Sequence, residues 1–228
     1  MIEFLFLDLD DTILDFHKQE AVAIHKTLCN VGIEPTEENC ALYRTINVRY
    51  WKMLELGQIT REELSWRRFA EFFAPFGVQA DPAKTAEDFA NYLAEGYYFL
   101  PGAEVAVKSL AKKYKLYIAS NGTGWIQEKR MASSGLNPYF DGVFVSQDIG
   151  ANKPDKRFFE GCFRQIPGFD PEKAMIVGDS ISSDIRGGKN AGIRTCWVNP
   201  KGYSAEPEDQ PDFEIKSITE LEELLEKL

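Results

Sequence analysis

Four short groups of residues in this chain could do chemistry, and each follows a brief apolar run. The first is Asp8-Leu9-Asp10-Asp11-Thr12, after Ile2 to Leu7. Carboxylates gathered at one place are costly unless a cation or a proton-transfer task stabilises them. Two residues apart, Asp8 and Asp10 can address one locus, a carboxylate nucleophile on one side and an acid/base for a leaving oxygen on the other. The blander reading is an acidic turn in which Asp11 or Thr12 caps a helix. The second group, Ser120-Asn121-Gly122, offers a hydroxyl and a glycine-freed main-chain amide to phosphate oxygens at the start of a helix, or simply caps that helix. Gly122-Thr123-Gly124 is not a dinucleotide fingerprint, because Gln127 stands where the third glycine belongs. The third is Lys153-Pro154, a single cation that could neutralise a transferring phosphoryl group or nearby carboxylates, or lie on the surface. The fourth is Gly178-Asp179-Ser180 with Asp184. Hard oxygen ligands suit Mg²⁺, which takes few protein carboxylates, so Asp8 and Asp179 with a main-chain carbonyl could hold it.

Each blander reading is tenable alone, but all four would have to hold together along one chain. The elements that carry these groups are short strands buried on both faces: Ile2 to Leu7, Leu116 to Ala119, Val143 to Val145, Ala174 to Val177 and Thr195 to Val198. Helical stretches separate them, which implies an α/β fold with a doubly wound parallel sheet, and such sheets bind ligands at the carboxyl ends of their strands. Between Phe16 and Phe99 the β-like runs vanish. Thr60 to Glu63 forms a capping box, Asp81-Pro82 sets a cap before a first-turn proline, and Thr36 precedes Glu37 and Glu38. A helical block of this length is too long for a loop, so residues 16–99 are expected to form an inserted all-helical subdomain, with 1–15 and 100–228 as the α/β core. Ser217 to Leu228 reads as a capped amphipathic helix with a solvated acidic face.

The four groups resemble the four motifs of the haloacid dehalogenase superfamily, in order and over almost the whole chain: Asp8-x-Asp10-x-Thr12, a strand ending in Ser120, Lys153, and Gly178-Asp179 with Asp184. The resemblance implies a modified Rossmann-like core with a helical cap, and Asp8 as the nucleophile that forms an aspartyl-phosphate. It implies Asp10 as general acid and then base, its main-chain carbonyl joining Asp8 and Asp179 on Mg²⁺. Ser120, Asn121 and Lys153 would hold phosphoryl oxygens, and Asp184 would orient Lys153 or metal-bound water. The family's dehalogenases lack an acid at the position of Asp10 and need no metal, so the resemblance points to a phosphatase. The stretch from Tyr50 and Trp51 through Thr60 to Phe69 is similar to the cap of the pyrimidine 5′-nucleotidase subgroup, which implies a nucleoside 5′-monophosphate substrate. Asn47 could hydrogen-bond a base and Trp51 could stack on one, while Trp66 and Phe69 are read as core.

Composition reads as that of a soluble globular protein. The chain has 228 residues, 44% hydrophobic and 27% charged, and no apolar run approaches the roughly 20 residues of a membrane span. The first residues lack a basic region and run into Asp8, Asp10, Asp11 and Asp15, unlike a secretory signal. Cys29, Cys40, Cys162 and Cys196 form no C-x-x-C pair, and His17 and His25 are the sole imidazoles, so free thiols in a reducing cytoplasm are expected rather than zinc or disulfides. A net charge of −10 disfavours a nucleic-acid partner and would repel an anionic substrate at long range, so any phosphate site must be positive locally. A phosphoglycolate or sugar-phosphate phosphatase is the alternative within the class. A binding protein for a phosphorylated metabolite is the alternative outside it, and a haloacid dehalogenase the third. Spacing does not indicate oligomeric state.

Overall fold

The computed structural model describes residues 1–228. Its sheet has six parallel strands: β1 (Phe4–Leu7), β2 (Lys115–Ser120), β3 (Gly142–Val145), β4 (Ala174–Gly178), β5 (Arg194–Val198) and β6 (Phe213–Ile215). They lie in the order β3-β2-β1-β4-β5-β6. β1 is the pivot, paired with β2 on one edge and β4 on the other. This is the expected modified Rossmann-like, doubly wound fold, and it sets the carboxyl ends of β1, β2 and β4 side by side. The sixth strand escapes the sequence reading because it has only three residues, with a charged one, Glu214, in the middle.

Side-chain alternation divides the core between the two faces of the sheet. Leu5, Leu7, Leu116, Ile118, Met175, Val177, Cys196 and Val198 join one cluster with Val107, Leu110, Met131 and Leu221. Phe4, Phe6, Tyr117, Ala119, Phe144, Ala174 and Ile176 join the other with Phe158, Phe159 and Cys162. Phe6 sits at the hub of the second cluster, its ring centroid 5.4 Å from Tyr117 and 5.6 Å from Phe163. Two fully covered faces leave the strand ends as the place where polar groups can meet a ligand.

The chain divides into two compact units, Met1–Phe16 with Tyr97–Leu228, and His17–Gly96. The second contains the helices α1 (Phe16–Asn30, less its first residue), α2 (Glu37–Glu55), α3 (Arg61–Phe73) and α4 (Pro82–Glu95). Thr36 and Asp81 cap α2 and α4 as expected, and Thr60 with Glu63 closes a reciprocal capping box on α3. Each such cap contributes about 1 kcal/mol. Tyr43, Phe69, Phe72 and Phe89 form the unit's centre. Phe69 is core as expected, but Trp66 is not: it is 40% exposed, because it lies off the face defined by Leu64, Arg68, Phe69, Phe72 and Phe73. No helix is long and apolar enough to cross a membrane. The four cysteines are free thiols, Cys162 and Cys196 buried.

Candidate active site

The turn after β1 brings Asp8 and Asp10 to one end of the sheet. The Asp8 N–H donates to the Val177 carbonyl (2.9 Å), which extends the β1–β4 ladder by one residue. Asp11 then adopts a left-handed conformation (φ 58°), tolerated by aspartate. Its Oδ1 accepts from the Phe16 N–H at 3.0 Å. Asp11 thus closes the turn, and Asp8 and Asp10 are left for other work. Thr12 is fully buried, and its hydroxyl finds no partner in the protein.

Lys153 is almost completely buried and joins the other elements. Its ammonium donates to Asp8 Oδ1 (2.7 Å), to Asp184 Oδ1 (2.6 Å) and to the Ala119 carbonyl at the end of β2. Those three bonds use every hydrogen it has. The sequence reading offered Lys153 either phosphoryl oxygens or nearby carboxylates, and in the structure it bridges the carboxylates of Asp8 and Asp184. Asn121 holds the segment that carries it: the side-chain amide donates to the Lys153 carbonyl and accepts from the Lys153 N–H, both at 2.8 Å. The Asn121 side chain is therefore committed to positioning Lys153.

Asp184 and Asp179 differ in their surroundings. Asp184 is fully buried, with Oδ1 on Lys153 and Oδ2 accepting from the Ser180 N–H at 3.0 Å. Gly178 is what lets it approach, since a Cβ there would stand 2.2 Å from Asp184 Oδ2. No protein donor is bonded to the Asp179 carboxylate, whereas its main-chain carbonyl accepts from the Trp197 indole N–H at 2.7 Å. Carboxylate oxygens of Asp8, Asp179 and Asp184 lie within 4.8 Å of one another. Burial raises the Asp8 carboxyl, to about 8, with Lys153 pulling down and Asp184 and Asp10 adding to the rise. Burial, then Asp184, Asp8 and Asp11, push Asp179 up to about 9. For Lys153 burial works against the charge, but Asp184 and Asp8 outweigh it and its pKa is raised. One cation thus faces three gathered carboxylates, all hard oxygen donors with no thiol or imidazole among them. That donor set fits Mg²⁺.

Asp10 faces a different set of partners. Arg130, on the helix after β2 (α6, Gly124–Ser134, following α5, Ala103–Leu110), donates to Asp10 Oδ1 at 2.6 Å. Gln127, one turn earlier, donates to Asp10 Oδ2 (2.8 Å) and to Ser120 Oγ (2.9 Å). The sequence reading missed both roles. A glutamine and an arginine three residues apart share a helix face, and that spacing was the available signal.

The two residues singled out in the helical unit have local partners. Asn47 is buried, donating to Glu20 Oε1 at 2.6 Å and accepting from Arg68. Trp51 is half-buried beneath the Arg61 guanidinium, 5.5 Å from the ring centroid. Burial raises the Glu20 carboxyl, with Asn47 and Arg68 opposing.

The family model for haloacid dehalogenase-like hydrolases matches residues 5–198. Pyrimidine 5′-nucleotidase PynA of Streptococcus pneumoniae is 40% identical over 99% of this chain and 95% of its own. Pyrimidine 5′-nucleotidase YjjG of Escherichia coli is 32% identical over 98% of this chain and 97% of its own. The HAD-hydrolase YfnB of Bacillus subtilis is 39% identical over 97% of this chain and 94% of its own. Its crystal structure, described as bound to magnesium and as revealing interdomain movement, superposes with a TM-score of 0.93 and covers 98% of both chains.

Proposed function

The chain belongs to the haloacid dehalogenase-like hydrolase family, and within it we propose a magnesium-dependent phosphomonoesterase that works through an aspartyl-phosphate on pyrimidine nucleoside 5′-monophosphates. The observation that carries the reading is the separation of the two leading aspartates. Asp8 is bonded to Lys153 beside Asp184, while Asp10 is bonded to Arg130 and Gln127 beside Ser120. Two carboxylates with different partners at one strand end suit two roles.

In this mechanism an Asp8 oxygen attacks phosphorus, and the ester P–O bond breaks as the Asp8–phosphoryl bond forms. Asp10 gives its proton to the departing ester oxygen. Asp10 then takes a proton from the water that attacks phosphorus, which returns Asp8 as a carboxylate and releases inorganic phosphate. The Ser120 hydroxyl and the Asn121 N–H hold phosphoryl oxygens, and Lys153 offsets their charge. Mg²⁺, held by Asp8, Asp179 and the Asp10 carbonyl, would supply charge neutralisation at the phosphoryl group. Asp184 keeps Lys153 in place. The helical unit serves as the cap that selects the leaving group. Trp51 bears on base preference through its ring, and Asn47 through the Glu20 and Arg68 network it completes.

The substrate class rests on the two nucleotidase relatives. It is tested by phosphate release from UMP, dUMP, dTMP, purine monophosphates, phosphoglycolate and sugar phosphates, with Mg²⁺ or EDTA. The expected outcome is chelator-sensitive turnover led by the pyrimidine nucleotides. Preference for another ester would overturn the nucleotidase assignment alone. No turnover of any ester would overturn the phosphatase, and metal-independent halide release from a haloacid would replace it with a dehalogenase.

A further inference from the structure

Arg130 is among the largest fully buried side chains in the protein. Only Nη1 finds acceptors; Nε and Nη2 are buried with no acceptor in the protein. The guanidinium lies over the Phe16 ring, 5.9 Å from its centroid. A buried arginine with incomplete pairing costs stability compared with an apolar side chain of similar volume. What it does instead is visible in its bonds.

Nη1 carries two hydrogens, and both are used: one on Asp10 Oδ1 at 2.6 Å, the other on Gln127 Oε1 at 2.8 Å. The second bond fixes which way the Gln127 amide faces. Its Nε2 then points its own two hydrogens at Asp10 Oδ2 and Ser120 Oγ, at 2.8 and 2.9 Å. Both Asp10 oxygens are thereby held from the α6 side. Ser120 Oγ is an acceptor in this network, so its hydroxyl hydrogen is left to donate elsewhere. A phosphoryl oxygen is the group that needs it.

We propose that Arg130 and Gln127 are positioning residues for catalysis: they hold the Asp10 carboxyl in the orientation that serves the leaving oxygen and turn the Ser120 hydroxyl toward the phosphoryl group. This rests on the reading of Asp10 as the general acid. Both act through the Asp10 carboxyl and the Ser120 hydroxyl rather than on the substrate itself. Their contribution is geometric, and displacing a reactive group by a fraction of its length is enough to lose rate.

The test uses leaving groups that differ in their need for a proton. A nucleotide's alkoxide must be protonated as it departs, whereas p-nitrophenolate leaves as a stable anion. For Arg130→Met, Gln127→Leu and Asp10→Asn, kcat/KM is measured with p-nitrophenyl phosphate and with UMP, or with whichever alkyl ester of the panel above turns over best. Folding is checked by circular dichroism, and Arg130→Lys replaces Arg130→Met if the latter does not fold. In Asp10→Asn the alkyl ester should lose at least about tenfold more than the aryl ester. The Arg130 and Gln127 variants should show the same selective loss, with Gln127→Leu adding a further loss common to both substrates through Ser120. Equal losses on both esters in the Arg130 and Gln127 variants, or no loss, would overturn the proposal. If Asp10→Asn itself showed no selectivity, the general-acid reading would fail first, and separately.

Discussion

A lysine whose three hydrogens all rest on oxygens of Asp8, Asp184 and Ala119 cannot be removed without leaving charge behind. Lys153→Met should lower turnover by at least about a hundredfold and destabilise the metal-free protein by about 3 kcal/mol, measured by denaturant unfolding. An unchanged midpoint would mean that the carboxylates do not depend on this cation. At this scale the sequence was most legible where residue type itself encodes the chemistry. Asp8, Asp10, Ser120, Lys153, Asp179 and Asp184 come at or after the ends of strands in the sequence, and the structure joins Asp8, Lys153, Asp179 and Asp184 in one cluster and links Asp10 to Ser120 through Gln127. Asn121 was legible as a position but not as a device, because its side chain acts by bracketing main-chain atoms of Lys153, thirty-two residues away in sequence. Gln127 and Arg130 offered only the signal of a shared helix face, and Trp197 none: each acts through a specific partner atom, and spacing does not name that atom.

Among the elements, the turn after β4 carries the sharpest constraint. Asp184 reaches Lys153 by passing across Gly178, where an added Cβ would stand 2.2 Å from the Asp184 carboxylate and 2.3 Å from its Cγ. Gly178→Ala should therefore displace Asp184 and lower kcat by about a hundredfold while the sheet still forms, checked by steady-state kinetics alongside circular dichroism. Wild-type kcat in a folded variant would show that the approach is not needed. Strands were readable because a doubly covered sheet demands continuous apolar runs, and the helix starts because Thr36, Thr60 and Asp81 bond their own first turns. Such signals are local. β6 was not readable, since its place depends on pairing with β5 at the edge of the sheet rather than on its own three residues. Trp66 misled for a related reason: aromatic character suggests core, but the helix face is set by the neighbours that pack against it.

The whole molecule carries a net charge of −10 and concentrates Asp8, Asp179 and Asp184 at one place, so it should respond to a divalent cation as a unit. The folded-state pKa values of Asp8 and Asp179 are raised from the ordinary 3.8. Their stabilising contribution is therefore full below the unfolded value and lost as pH rises through the folded ones, toward about 8 and about 9. A bound cation removes that loss by favouring the ionised carboxylates. The gain in Tm on adding Mg²⁺ should accordingly be larger near about pH 8 than near about pH 5, and should shrink in Asp179→Asn. A gain that is independent of pH, or larger in acid, would contradict the assignment of these carboxylates as the site of binding. The claim on which the rest depends is that Asp8 becomes covalently phosphorylated during turnover. Its most direct test is rapid acid quench of the protein with a turned-over substrate, followed by mass spectrometry of the peptide containing Asp8. One phosphoryl group is expected on that peptide, formed and lost within a turnover and absent from Asp8→Asn. Continued turnover in Asp8→Asn, or a phosphoryl group carried by another residue, would contradict it.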